Sequence, residues 1–224
     1  TINQRKYTLD IIKDMNLEDC STVGFSLPKG LKLSIDEGKF LPEPGVYRRL
    51  IGRLLYLNLS RPDISYSVQH LSQFIGQPRL PHMNAAIHVV KYLKSTINAG
   101  LFYPSQSSLK LKAYSDADYN GCAFSSRSLS GYSIFLGNSL ISWKTKKQRT
   151  VSASSAESEY RCMSYTVREV VWLQRLLEDL GVQLPLPIEL YSANHISQNP
   201  VFHERTKHIE TDSHYVREKI QDGF

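Results

Sequence analysis

The sequence predicts a mixed α/β domain behind a mainly helical segment. Three observations predict it. Residues up to about 100 carry apolar side chains at helical spacing, residues 107–145 alternate with the period of strands, and one long amphipathic helix precedes a further short strand. The order is βββαβα, a mixed sheet in which a three-stranded antiparallel meander gains a parallel strand, with helices flanking it. We place the boundary between the two parts at about residue 105, giving segments 1–105 and 106–224.

In the first part, "QRKYTLDIIKDMNL" sets Tyr7, Ile11, Ile12 and Met15 on one helical face. Residues 21–45 read as loop, punctuated by Pro28, Gly30, Gly38, Pro42, Pro44 and Gly45. Two helices follow, split at Arg61-Pro62. Tyr47, Leu50, Ile51, Leu54, Leu55 and Leu57 fill the first, and Ile64, Val68, Leu71 and Phe74 mark the second. A third runs from about His82 to Leu93. Tyr47, Tyr56, Tyr66 and Tyr92 sit at helical spacing, which suits a core or an interface better than base stacking.

In the second part, "SSLKLKAYSDADYNG" alternates Leu109, Leu111 and Ala113 against Lys110 and Lys112. "LSGYSIFLG" and "SLISWKT" are two more strands joined by a tight turn at Gly137-Asn138. Ser154 to Glu157 is a capping-box start. Tyr160, Met163, Val167, Val170, Val171 and Leu177 form the stripe of the long helix, and Gly181 sits at its C-cap. A strand at 188–192 follows this crossover, so it can pair in parallel with an earlier strand. A last helix runs from about Asp212.

The bulk numbers fit a foldable globular chain: 224 residues, 41% hydrophobic and 21% charged. Cys20, Cys122 and Cys162 have neither CxxC spacing nor an even count, which argues against a disulfide framework or a zinc site. No apolar run reaches the roughly 20 residues of a membrane helix, and no targeting signal is visible. The chain begins at Thr1 in mid-pattern and reads as a fragment of something longer. Its net charge of +6 suits a polyanionic partner without requiring one.

Asp116 falls at the end of the first strand, Glu157 and Glu159 in the first turns of the long helix, and Asp212 at the start of the last one. Carboxylates converging from separate elements suit hard divalent cations. Two such ions about 4 Å apart can activate water and stabilise a leaving phosphodiester oxygen. By spacing alone, a turn residue, a helix cap and an N-cap account for them more simply.

At these residues the chain resembles the ribonuclease H domain of Ty1/copia-type retrotransposon Pol polyproteins, plant copies above all. "YSDADYNGC", "RSLSGYSIFLGNSLISWKTKKQRTVSASSAESEYRCM" and "NPVFHERTKHIETDSHYVREKI" carry that resemblance. "YRRLIGRLLYLNLSRPDISYSVQHLSQF" and "KYLKSTINAGL" are similar to the end of the reverse transcriptase and its connection. The resemblance covers nearly the whole chain. It implies a ribonuclease H-like fold, cleavage of the RNA strand of RNA–DNA hybrids with Mg²⁺ or Mn²⁺, and an upstream reverse transcriptase in a parent polyprotein. It also implies a cytoplasmic or nuclear retroelement particle. No Tyr-x-Asp-Asp occurs, so polymerase activity is not expected of this chain.

The family's acidic ligands map onto Asp116, Glu159 and Asp212. Glu159 rather than Glu157 matches, because it opens "EYRC", and the two point about 200° apart on a helix. The remaining ligand position is Ala193, in "LYSAN", and the stretch between Asn194 and His195 is shorter than the family's. Alanine offers no oxygen to a metal. Ser192 and Asn194 are neutral, and Asp118 falls in the expected turn. The expectation is a weak or absent hybrid nuclease; the alternative is a catalytically inactive nucleic-acid-binding domain or a decayed element.

Lys144, Lys146, Lys147 and Arg149, beside Trp143, are candidate phosphate contacts, as is Arg127; a solvated strand end and loop remain open for all five. His203, His208 and His214 lack the HExxH spacing of zinc ligands. In this fold class a histidine near the metals can assist product release, and His203 or His208 is placed for that; packing of the loop explains both as well.

Overall fold

The computed structural model describes residues 1–122, 124–192, 210–221 and 223. Ala193, Asn194, His203 and His208 lie outside the described residues. The chain forms two compact units, Thr1–Phe102 and Tyr103–Phe224.

The first unit holds α1 (Arg5–Asp14), α2 (Pro44–Leu57), a single 3₁₀ turn (Pro62–Ile64), α3 (Ser65–Ser72) and α4 (Leu80–Ser95). Its core is the meeting of the predicted stripes: Ile11 and Ile12 from α1, Leu50, Ile51, Leu54 and Leu57 from α2, Leu71 from α3, and Val89, Val90 and Leu93 from α4. Leu55, expected in the same stripe, is 43% exposed instead. It stands one position past Leu54, about 100° around the helix. Of the four tyrosines, only Tyr47 is buried; its hydroxyl donates to the Leu71 carbonyl at 2.8 Å. Tyr56 packs edge-on against Tyr7.

Two polar knots hold this unit. Arg61 is 1% exposed. Its guanidinium makes a two-pronged bond to Asp63, 2.9 and 2.6 Å, and donates to the Thr96 carbonyl at the end of α4 at 3.0 Å. Tyr92 adds a hydroxyl bond to Asp63. Burial alone would raise the Asp63 carboxyl, but the Arg61 charge beside it holds it below the usual carboxylate range. His82, fully buried, stands at the third position of α4. Its Nδ1 accepts the Arg79 backbone N–H, so Nε2 carries the proton that reaches the Ser34 carbonyl, each at 2.9 Å. This clasps the long loop onto α4, and burial pushes the imidazole pKa down.

The second unit is a four-stranded mixed sheet in the order β3-β2-β1-β4. The strands are β1 (Leu111–Asp118), β2 (Leu129–Leu136), β3 (Ser139–Lys147) and β4 (Glu189–Ser192). The first three form the antiparallel meander, and β4 pairs with β1 in parallel, as the crossover requires. The long helix α5 (Ser155–Asp179) covers one face, burying Val170 and Leu173 against Leu111, Ala113 and Ile134. The last helix α6 (Glu210–Gln221) lays Val216 against Met163 and Val167 of α5. This is the predicted arrangement, a ribonuclease H-like α/β fold.

The limits of two elements differ from expectation. The first strand begins at Leu111, leaving Leu109 half exposed, and runs through Asp116 to Asp118. Asp118 therefore lies in the strand and not in a turn, because β2 pairs that far, with Leu129 opposite it. Asp212 is the third residue of α6 rather than its cap. At the start of α5 half of the expected capping box forms, since the Glu157 carboxylate accepts the Ala153 N–H rather than that of Ser154. Ser154 Oγ accepts the Glu157 N–H at 3.1 Å, a cap worth about 1 kcal/mol. At the other end Gly181 takes φ +79 and its N–H bonds the Glu178 carbonyl.

Candidate metal and nucleic-acid site

Alternation along β1 buries Ser115 and Ala117 and exposes Asp116 on the opposite face. Its partner on β2 is Gly131, so no β2 side chain stands directly opposite its carboxylate. Behind it, the buried Cys162 thiol lies 3.0 Å from the Asp116 carbonyl and 3.3 Å from the Gly131 carbonyl. That contact pins α5 to β1 one helical turn beyond Glu159, which directs Glu159 toward Asp116.

Pairing of β1 with β4 ends at Ser115 and Ser192. Glu159 reaches this end of the sheet, where it interacts with Asp116, Ala117 and Ser192. Burial raises its carboxyl pKa first, and the Asp116 charge adds to this; hydrogen bonds from the Ala117 N–H and the Ser192 side chain act the other way. One oxygen, Oε2, is buried and has no hydrogen-bond partner among the described residues. A buried carboxylate oxygen without a donor, next to a second carboxylate, is costly unless a cation joins it. The pair fits a divalent cation on that ground. Replacing Glu159 by Gln relieves both burial of charge and like-charge repulsion. We expect Glu159→Gln to raise the melting temperature in EDTA by about 2–4 °C; an unchanged or lower value would show that the two carboxylates are not crowded.

The other candidate ligands are placed differently. Glu157 is buried and already committed: its carboxylate accepts the Ala153 N–H at 2.6 Å and pairs with Arg161. Asp212 pairs with Arg168 of α5 at 3.5 Å. Arg168 lies nine residues beyond Glu159, about 14 Å along the helix. Among the described residues no three His, Cys, Asp or Glu side chains form a metal-binding group. Asp116 and Glu159 come together, and Asp212 does not join them here. The Ala193 position lies outside the described residues, directly after Ser192.

The basic run ends β3. Lys144 and Lys146 are exposed and face the α5 side of the sheet, opposite Tyr132 and Ser130. With Arg149 and with Tyr165, Arg168 and Glu169 of α5 they line a groove of about 330 Å³. Lys147 also reaches its rim, but its ammonium stands over the Phe124 ring at 4.7 Å and 3.7 Å from the Cys122 sulfur. Arg127 is exposed on the β1–β2 connection and does not line the groove. Glu169 at the floor accepts from the Ser142 hydroxyl at 2.9 Å. It also faces Tyr132, whose hydroxyl is pushed up to about 12 by burial and by that charge.

Sequence reasoning missed three residues. Arg168 and Tyr165 belong to this groove. Gln148, 2% exposed, ties three elements together. Its Nε2 donates to Ser130 Oγ and to the Ser158 carbonyl, its Oε1 accepts from Ser152, and its N–H bonds the Ser128 carbonyl, all at 2.9 Å. It holds the first turn of α5, and so Glu159, against β2. The available signal was a neutral amide inside the cationic run "KKQRT".

Comparison with known proteins gives long relatives. The chain is 41% identical over 226 aligned residues to the retrovirus-related Pol polyprotein from transposon RE2 of Arabidopsis thaliana, covering 99% of this chain and 16% of that protein. The corresponding polyprotein from transposon RE1 of the same plant is 40% identical, over 99% of this chain and 15% of its own length. The uncharacterized mitochondrial protein AtMg00810 of Arabidopsis thaliana is 39% identical over 76% of this chain, which spans 71% of it. The chain thus spans about a sixth of the polyproteins it matches. No family model and no solved structure matches. Among the described residues no helix is long and apolar enough to cross a membrane.

Proposed function

Because this chain belongs to the family of retrovirus-related Pol polyproteins from copia-type transposons, we propose that its second unit is their ribonuclease H domain, impaired at the metal centre. Residues 1–105 then correspond to the end of the reverse transcriptase and its connection. The substrate is an RNA–DNA hybrid, and the reaction is hydrolysis of the RNA strand. The observation that carries this reading is the Asp116–Glu159 pair, with a buried oxygen that no donor meets among the described residues.

In this reading Asp116 and Glu159 hold Mg²⁺ or Mn²⁺, with Asp212 as a further ligand when it approaches. The cation, once bound, supplies Lewis-acid stabilisation of the phosphate and lowers the pKa of a water. The chain's own residues do the rest. Lys144, Lys146 and Arg149 hold strand phosphates as point charges and forks. Gln148 and Cys162 keep Glu159 facing Asp116. With alanine at position 193 the chain would offer a second cation one carboxylate fewer.

A second reading is favoured by one observation: Asp212 is paired with Arg168 rather than with the other carboxylates. A chain of this kind retains hybrid binding and does not cleave.

The test uses the purified chain with labelled RNA–DNA hybrid in Mg²⁺ and in Mn²⁺. We expect salt-sensitive binding, and cleavage that is slow, cation-dependent and lost in Glu159→Gln. Mg²⁺ should raise the melting temperature of the unaltered chain and not of that variant. Rapid Mn²⁺-dependent cleavage would overturn the impairment, binding without cleavage selects the second reading, and no binding to hybrid rejects both.

A further inference from the structure

We propose that the groove between β3 and α5 binds the phosphates of one nucleic-acid strand, with Arg168 as its central cation and Asp212 as an internal competitor for that cation. The proposal rests on the nucleic-acid reading above and adds to it a specific path, two residues and a control on affinity.

The groove has two unlike walls. On the β3 wall, Lys144 and Lys146 are two residues apart, about 6.8 Å along a strand, and Arg149 continues the line toward the end of the sheet that holds Asp116. None of the three makes an ion pair among the described residues. On the α5 wall stand Arg168 and, three residues earlier on the same face, Tyr165, which is 40% exposed. Cations strung along a line suit a polymer of phosphates rather than a single small anion. An exposed tyrosine ring beside them offers a surface for a sugar or base.

The single carboxylate in the groove does not cancel this charge. Glu169 is already engaged, accepting from the Ser142 hydroxyl and interacting with the Tyr132 hydroxyl. None of the residues lining the groove is aliphatic; their side chains end in ammonium, guanidinium, hydroxyl and one carboxylate group, with stems and rings between.

Arg168 differs from the other cations. Its side chain is half exposed and lies between the groove and α6, with the guanidinium 5.2 Å from the Tyr215 ring centre and 3.5 Å from the Asp212 carboxylate. A partly exposed ion pair at that separation is weak. A strand phosphate can therefore take the guanidinium from Asp212. Until it does, Asp212 lowers the affinity of the groove. The two anions compete for one cation, so removing the Asp212 charge should strengthen strand binding, and only while Arg168 is present.

A double-mutant cycle on the full chain tests this, with fluorescein-labelled RNA–DNA hybrid, EDTA and low salt, read by fluorescence anisotropy. We expect Arg168→Gln to weaken binding about fivefold and to reduce the salt slope by about one. Arg168→Lys should keep most of the affinity. Asp212→Asn should tighten binding about threefold in the unaltered background and leave it unchanged on top of Arg168→Gln. Equal tightening in both backgrounds would show a plain charge effect and overturn the competition. No effect of Arg168→Gln, with hybrid still bound, would overturn the groove assignment while leaving the nuclease reading intact. Coupling without any cleavage supports the groove and rejects the nuclease. No binding by the unaltered chain overturns both.

Discussion

Replacing Ala193 by Asp, with the short stretch after Asn194 restored, is expected to raise hybrid cleavage about a hundredfold or more. The expectation follows from chemistry at a single position. A metal held by two carboxylates instead of three loses charge and residence, and Lewis-acid stabilisation is worth several kcal/mol, where each 1.4 kcal/mol is about tenfold in rate. Ser192, the residue before it, interacts with Glu159, so β4 ends against the candidate centre. Single-turnover cleavage of a labelled hybrid, compared between the repaired and unaltered chains, measures the effect. Adding Glu159→Gln to the repaired chain should return the rate to background. Equal rates in the repaired and unaltered chains would mean that the metal centre has been assigned to the wrong residues.

Arg61→Leu should be the most damaging single change in the first unit, costing about 3–5 kcal/mol. The substitution strips the charged partner from Asp63, leaving it only the Tyr92 hydroxyl among the bonds described, and the Arg61 donor from the Thr96 carbonyl at the end of α4. It does so where the guanidinium is almost fully enclosed. The cost comes from groups left without partners more than from the charge pair itself. Changing Arg61 and Asp63 to Leu together should therefore cost less than the sum of the single changes. Amide hydrogen exchange in α2, α3 and α4 and the urea midpoint are the measurements. Trp143 and Trp172 are the only tryptophans and both lie in the second unit, so their fluorescence does not report on the first. A loss below about 1 kcal/mol, the scale of an exposed pair, would show that the cluster is not a structural knot.

The helical stripes and the alternation of the strands were readable because they are local. A helix places residues every 100° and a strand every 180°, whatever lies beyond. The same geometry separated Glu157 from Glu159, and the structure shows Glu157 bound to Ala153 and Arg161. The parallel placement of β4 followed from the handed crossover through α5. Strand ends were less legible. Only the partner strand decides that β1 reaches Asp118, since pairing with Leu129 holds it there.

The polar residues divide along the same line. Asp116 and Glu159 could be named in advance through the resemblance to a known family, and Lys144 and Lys146 through their clustering; spacing alone gave the two carboxylates a plain structural reading. Gln148, Cys162 and Arg168 could not be so named. An amide, a thiol and one arginine among many acquire meaning from what surrounds them: Gln148 from being enclosed with both polar atoms of its side chain bonded, Cys162 from facing two strand carbonyls, Arg168 from standing between a groove and α6. Periodicity is a property of neighbours along the chain, so one dimension suffices to read it. Burial, and with it the worth of a hydrogen bond or a charge, depends on which distant segments exclude water, and that appears only once the chain has folded.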